Sequence, residues 1–176
     1  MKVIMVMVSS LNGKITRGND PYIYTWTSPE DKKLFFSHIE RNNLMVMGRK
    51  TYEAAHKLIT HTPEKRRIIL TKEPRKYAPE EMPGMLEFTD ESPRRLTSRM
   101  KKKGYQQMLL VGGSVVNSLF LRDNLVDEIH LTIEPYVFGT GTSIVATGSI
   151  TTRLILTSVK KLNKKGTLHL IYTVEK

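Results

Sequence analysis

QMLLVGGSVVNS, Gln107 to Ser118, is the stretch that decides how this chain is built. A short apolar run leads into Gly112-Gly113-Ser114, and an amphipathic stretch follows. That order reads as strand, glycine turn and helix. Two glycines let the backbone come close to a ligand, and the free N–H groups of the helix's first turn point at it. The helix dipole adds a partial positive charge, so a phosphate is the usual guest. The run is not the full GxGxxG of a dinucleotide unit, and no acidic ribose ligand follows a second strand. Taken alone, it fits an anion site and a plain strand-to-helix turn equally well.

The same alternation extends to both sides. Lys2 to Val8, Asn43 to Met47, Arg67 to Thr71, Leu86 to Thr89 and Met108 to Val111 are short apolar runs that read as buried strands. Helices are expected from Pro29 behind a Ser28 N-cap, over Arg49 to Leu58, from Pro93 to Lys103 and over Ser114 to Arg122. Leu34, Phe35, His38 and Ile39 share one face of the first of these. Ser9 to Thr27 is a long polar loop, and Glu73 to Pro83, rich in proline and charge, is a second loop. Asp127 to Pro135 alternates as a strand, and Arg153 to Leu162 with Thr167 to Val174 reads as a terminal antiparallel hairpin. Strands alternating with helices imply an α/β fold: a mixed, mostly parallel sheet flanked by helices, with antiparallel strands added at the end. A length of 176 residues fits a single domain over residues 1–176.

Composition narrows the function. There is no cysteine, which excludes disulfides and zinc–thiolate sites and fits a cytoplasmic location. The longest apolar runs, such as Val3 to Val8, are too short to span a bilayer, and that run lacks a signal-peptide cleavage pattern. Net charge is +11, which attracts polyanions. Lys101-Lys102-Lys103 and Lys160-Lys161 with Lys164-Lys165 are the main clusters. No aromatic residues are interleaved with them and no nucleic-acid-binding module is evident, so a nucleic-acid binder is the minor alternative.

In such sheets ligands bind beyond the carboxyl ends of the strands. There the chain offers Gly48-Arg49-Lys50-Thr51, then Thr71-Lys72, then Gly112-Gly113-Ser114. Three turns carrying glycine, hydroxyl or cation at one edge suggest a ligand with several phosphates, such as a dinucleotide. Asp31, in the first turn of the helix after the long loop, is the one acid in a catalytic setting. Ser28-x-x-Asp31 also resembles a capping box. The dipole lowers the pKa of Asp31 while burial raises it, and the sequence leaves the balance open. Trp26 reads equally as core or as pocket lid. His38, His56, His61, His130 and His169 show no metal-ligand spacing, so no metal is expected.

At this point the residues resemble a family. Val46 to Glu53, VMGRKTYE, resembles the strand–helix motif of dihydrofolate reductases, and Trp26-x-x-Pro29-x-Asp31 is similar to their Trp-x-x-Pro-x-Asp pattern. Ser10-Leu11-Asn12-Gly13-Lys14-Ile15 resembles the Ser-Leu-Asp-Gly-Lys-Ile motif of the reductase domain of riboflavin-biosynthesis deaminase–reductases. Leu110 to Ser114, Asn117 and Leu125 to Thr132 are similar to that same domain. The resemblance covers nearly the whole chain and implies a dihydrofolate-reductase-like fold with NADPH as cofactor.

Carried over, Gly112, Gly113 and Ser114, followed by Val115 and Val116, would meet the pyrophosphate. Gly48, Arg49, Lys50 and Thr51 would hold phosphate and ribose, and Thr71 with Lys72 would favour the 2′-phosphate. Ser10 and Ile15 would flank the nicotinamide. Asp31 would be the acid, with Asn12, Lys14, Trp26, Ser28, Phe35 and Asn117 on the substrate side.

Some positions depart from the pattern. Riboflavin reductases usually carry an Asp-Pro and a downstream Arg where this chain reads Ala54-Ala55-His56-Lys57, and a Glu where it has Val111. Against dihydrofolate reductases, Ser114 stands for the third glycine and Asn117 for an aromatic residue. The expected activity is hydride transfer from NADPH to a ribosylamino-pyrimidine, with dihydrofolate or another pterin as the alternative substrate. Such domains often pair, so a homodimer is expected.

Overall fold

A computed structural model describes all 176 residues. Eight strands form one sheet in the order β4-β3-β2-β5-β1-β6-β8-β7. The strands are β1 (Lys2–Ser10), β2 (Leu44–Gly48), β3 (Arg66–Leu70), β4 (Leu86–Thr89), β5 (Gln107–Leu110), β6 (Glu128–Glu134), β7 (Leu154–Lys161) and β8 (Leu168–Val174). The helices are α1 (Pro29–Arg41), α2 (Arg49–Ala55), α3 (Pro93–Lys102) and α4 (Ser114–Arg122). β1 to β6 run parallel, and β8 and β7 close the sheet as an antiparallel hairpin. The expected architecture is therefore the one observed.

The strands are apolar on both faces because helices cover both. Val3, Met5, Leu44, Val46, Met108 and Leu110 pack on one side against Leu96 and Met100 of α3 and Val116 and Phe120 of α4. The i, i+4 spacing of Leu96 with Met100, and of Val116 with Phe120, makes these helices amphipathic. Ile4, Val6, Met45 and Leu109 face the other way, toward Phe35 and Ile39 of α1. Tyr52 of α2 packs beside Met47 and Ile69.

Several boundaries differ from the sequence reading. β1 runs two residues further, to Ser10, because its ladder with β6 continues to the pair Ser10–Glu134. α2 ends at Ala55 and passes into a 3-10 turn over His56–Leu58. The expected loop after β3 contains a 3-10 helix, Pro74–Glu80, whose Tyr77 is buried and stacks on Phe88. α1 departs most from expectation, since its only buried residue is Asp31. It lies over a polar strip of β6 as well as over the apolar sheet, because Glu128, His130, Thr132 and Glu134 alternate onto that face. No helix is long and apolar enough to cross a membrane.

Candidate active site

A cleft of about 1830 Å³ runs along the carboxyl ends of the parallel strands. The turns after β2 and β5 form one end. The Gly48 N–H donates to the Gly112 carbonyl oxygen at 2.7 Å, locking the two turns together. Gly112 has φ +90°, a conformation that favours glycine. A Cβ on Gly48 would stand 2.9 Å from a Val116 methyl, and one on Gly113 would stand 3.1 Å from the Thr51 hydroxyl. Each glycine thus lies against a side chain of the helix that follows the other turn, which leaves little room for a Cβ. Gly113 caps α4 without a side chain, so the first-turn N–H groups of Ser114, Val115 and Val116 remain available to a ligand in the cleft.

Along the same edge, Arg49, Lys50, Thr51, Thr71 and Lys72 line the cleft. Arg49 already pairs with Glu53 at 2.7 Å, one helical turn away. Thr71 accepts from the Glu73 N–H at 3.2 Å. Lys50 and Lys72 are exposed. These groups suit a phosphorylated ligand, with Lys72 as the exposed cation beside the end of β3.

Asp31 lies at the other end, with Phe35 also lining the cleft. Its N–H donates to Ser28 Oγ at 3.2 Å, so Ser28 caps the helix, but the Ser28 N–H donates to Glu134 and the reciprocal half of a capping box is not made by the Asp31 carboxyl. That carboxyl is buried, which pushes its pKa up to about 6. The Thr132 hydroxyl bonds to it and opposes the rise, Glu134 adds to it, and Lys32 opposes it. Burial is the largest of these causes, so the carboxyl is held above its ordinary range.

Glu134 was not singled out in the sequence. It is 2 % exposed, and it accepts from the Ser28 N–H at 2.7 Å and the Thr167 hydroxyl at 2.7 Å. It ties the start of α1 to β6 and to the end of the hairpin turn. Thr132 was missed as well. The available signal was a polar residue at every second position of β6, between Ile129, Leu131 and Ile133.

Other candidates fall outside the cleft lining. Ser10 is fully buried and donates to Asn12 Oδ1 at 2.8 Å, while Asn12 Nδ2 donates to the Phe138 carbonyl at 2.7 Å. Lys14 Nζ donates to Ser143 Oγ at 3.1 Å. Trp26 is core, edge-on to Phe138 and Tyr136. Ser28 serves as the α1 cap. Asn117 is buried and donates to the Ile144 carbonyl at 2.8 Å. These residues hold together the loops bordering the cleft, whereas Ile15 lines it directly.

A mostly parallel sheet of this order, closed by a C-terminal antiparallel hairpin and flanked by helices, is the dihydrofolate-reductase-like fold. The family profile of the RibD C-terminal domain matches residues 1–168, and the chain belongs to that family. It is 24% identical over 174 residues to the uncharacterized protein YwjB of Bacillus subtilis, covering 97% of each chain. A provisionally assigned riboflavin biosynthesis protein from Shewanella sp. PV-4 superposes with a TM-score of 0.79 at 19% identity over 100% of both chains. A pyrimidine reductase-like protein from Corynebacterium diphtheriae also gives 0.79, at 14% identity, over 99% of this chain and 92% of that one. A Thermotoga maritima diaminohydroxyphosphoribosylaminopyrimidine deaminase/5-amino-6-(5-phosphoribosylamino)uracil reductase gives 0.75 at 17% identity, with 98% of this chain covering 56% of it.

Proposed function

We propose that residues 1–176 form one NADPH-dependent reductase domain of the riboflavin-biosynthesis type, acting on a ribosylamino-pyrimidine phosphate. The observation that carries this reading is the pairing, in one cleft, of the Gly48/Gly113 cradle with the buried carboxyl of Asp31. NADPH, when bound, supplies hydride. The first-turn N–H groups of α4 would hold its pyrophosphate. Lys72 and Thr71 would take the 2′-phosphate, and Ile15 would lie against the nicotinamide. In the reduction of the opened ribosylamine as its C=N form, hydride adds to carbon. The Asp31 carboxyl gives its proton to nitrogen, yielding the ribityl amine. Thr132 bonds to that carboxyl, and Glu134, holding the Ser28 N–H, fixes the start of the helix that carries it.

The test is calorimetric titration with NADPH and with NADH, followed by turnover assays with 5-amino-6-(5-phosphoribosylamino)uracil and with dihydrofolate. Micromolar NADPH binding with turnover of the uracil supports the reading, and no binding of either cofactor removes it. Lys72→Ala should weaken NADPH about tenfold, equivalent to about 1.4 kcal/mol, and leave NADH unchanged. Equal loss for both cofactors would remove Lys72 from the 2′-phosphate site.

A specific observation favours dihydrofolate or another pterin as the second reading. Ala54 and Ala55 line the cleft where a charged group would serve a ribose phosphate. Turnover of dihydrofolate alone selects it. A cytoplasmic location suits either reading. A homodimer fits the β7 edge, where Ile155, Leu156 and Val159 are exposed, and light scattering tests it. Nucleic-acid binding stays the minor alternative from the charge of +11. It predicts affinity for DNA or RNA that falls steeply with salt.

A further inference from the structure

Three of the five histidines come together although their spacing in the sequence gives no sign of it. His38 lies two turns beyond Asp31 on α1, His130 is on β6 and His169 is on β8. Each ring offers a nitrogen, and those nitrogens all lie within 4.8 Å of one another. The rings meet at steep angles, 77° for His38 with His130 and 64° for His130 with His169, so face-to-face stacking does not account for the cluster.

Each ring also carries a buried nitrogen without a hydrogen-bond partner: His38 Nε2, His130 Nδ1 and His169 Nδ1. Leaving such a group unpaired costs about 1–3 kcal/mol each, so three in one place call for a shared partner. His130 Nε2 lies 3.2 Å from a Glu128 carboxylate oxygen, and Lys2 fixes that carboxylate from the other side at 2.7 Å. With Nε2–H donating to Glu128, the Nδ1 lone pair of His130 is free. A carboxylate behind a histidine is also how metal-binding imidazoles are oriented.

We propose that His38, His130 and His169 form a site for a divalent transition-metal ion of the zinc class, clipping α1 to β6 and β8. An all-imidazole set suits zinc, nickel or copper and not magnesium or calcium, which prefer oxygen. A tetrahedral ion with bonds of about 2.1 Å holds its nitrogens about 3.4 Å apart, so the rings draw in by about an ångström on loading. A water completes the tetrahedron. An ordinary imidazole is already mostly neutral at pH 7, so its lone pair is free to ligate. Arg41 beside His38 and Lys160 beside His169 are cationic neighbours that oppose a bound divalent cation. The ion would pin the helix carrying Asp31, yet the site does not rest on the reductase reading. Its test needs no cofactor.

The whole chain, stripped with chelator, is titrated with zinc by calorimetry and with cobalt by visible absorption. One equivalent of zinc is expected at micromolar Kd, together with the intense absorption of tetrahedral cobalt. At a hundredfold excess over Kd the Tm should rise by about 5–10 °C. His38→Gln and His169→Gln should each weaken zinc about 100-fold, and His56→Gln, on the surface, should not change it. Millimolar affinity, a weak octahedral cobalt spectrum or an unchanged Tm would overturn the site. So would binding that survives His38→Gln and is lost in His56→Gln. The cobalt spectrum and the Tm are read on the unaltered protein, so a variant that fails to fold leaves the proposal open to refutation.

Discussion

Asp31→Asn is expected to lower kcat about 10²–10⁴-fold, the range for loss of a general acid, and to make the protein more stable at neutral pH. The two effects share one cause. The Asp31 carboxyl is buried and its pKa is raised to about 6 from the ordinary 3.8. A carboxyl whose folded pKa is raised is favoured by the fold in its protonated form. Its contribution to stability is therefore complete below pH 3.8 and is lost as the pH rises through about 6. Groups from three directions bear on it: Thr132 and Glu134 from β6, Lys32 from its own helix, and the apolar surroundings that dominate.

Asparagine keeps a polar group for Thr132 and carries no charge. At pH 7.5 the variant should gain about 1–3 kcal/mol, a Tm rise of roughly 2–8 °C. At pH 4 the two proteins should melt together. The wild-type rate should in turn decline above pH 6 as the acid ionises, and the variant should lose that limb. Thermal melts at the two pH values and a kcat–pH profile check this. A variant with unchanged turnover and an unchanged pH profile would remove the Asp31 carboxyl from the chemistry.

Gly141→Ala should cost about 2–4 kcal/mol. Gly141 has φ +141°, and a Cβ there would stand 2.1 Å from the Thr16 carbonyl oxygen, a backbone atom that cannot swing aside. The clash falls where two loops are joined. The Ile15 N–H donates to the Thr142 carbonyl at 2.8 Å, the Gly18 N–H to the Thr140 carbonyl at 3.1 Å, and the Thr142 N–H to the Thr16 hydroxyl at 2.8 Å. Alanine forces this seam open and releases the segment carrying Ile15 into the cleft. The expected result is a Tm about 5–15 °C lower, with faster hydrogen exchange at Ile15 and Gly18. Gly139→Ala is the control, since a Cβ at Gly139 meets nothing within 4 Å. Equal stability of the two variants would show that the seam yields without cost.

Local features were legible because their causes are local. Ser28 is read as a cap and Pro93 as a helix start, and the side chains of Ser28 and Ser92 each accept from the helix that follows. α4 begins and ends where glycine and periodicity put it, at Ser114 and Arg122. The site edge was legible too, because parallel strands bring their carboxyl ends to one side and so collect Gly48, Lys72 and Gly113. The 3-10 helix at Pro74–Glu80 was not legible. Its proline-rich stretch gains order from Tyr77 packing on Phe88, a contact made by the fold.

By itself, the sequence determined the alternation of strands and helices, the caps, the glycine turns and the positive charge, all set by residues a few positions apart. The tertiary structure decided which polar groups share an environment. Glu134 reaches the N–H of Ser28 across 106 residues, and Asn12 reaches the backbone of Phe138 across 126. Whether Asp31 is charged, and whether three scattered histidines face one another, depend on burial and on the register of β6 against β8. Both are products of packing, since the energy of a charge or a lone pair is set by what surrounds it in space.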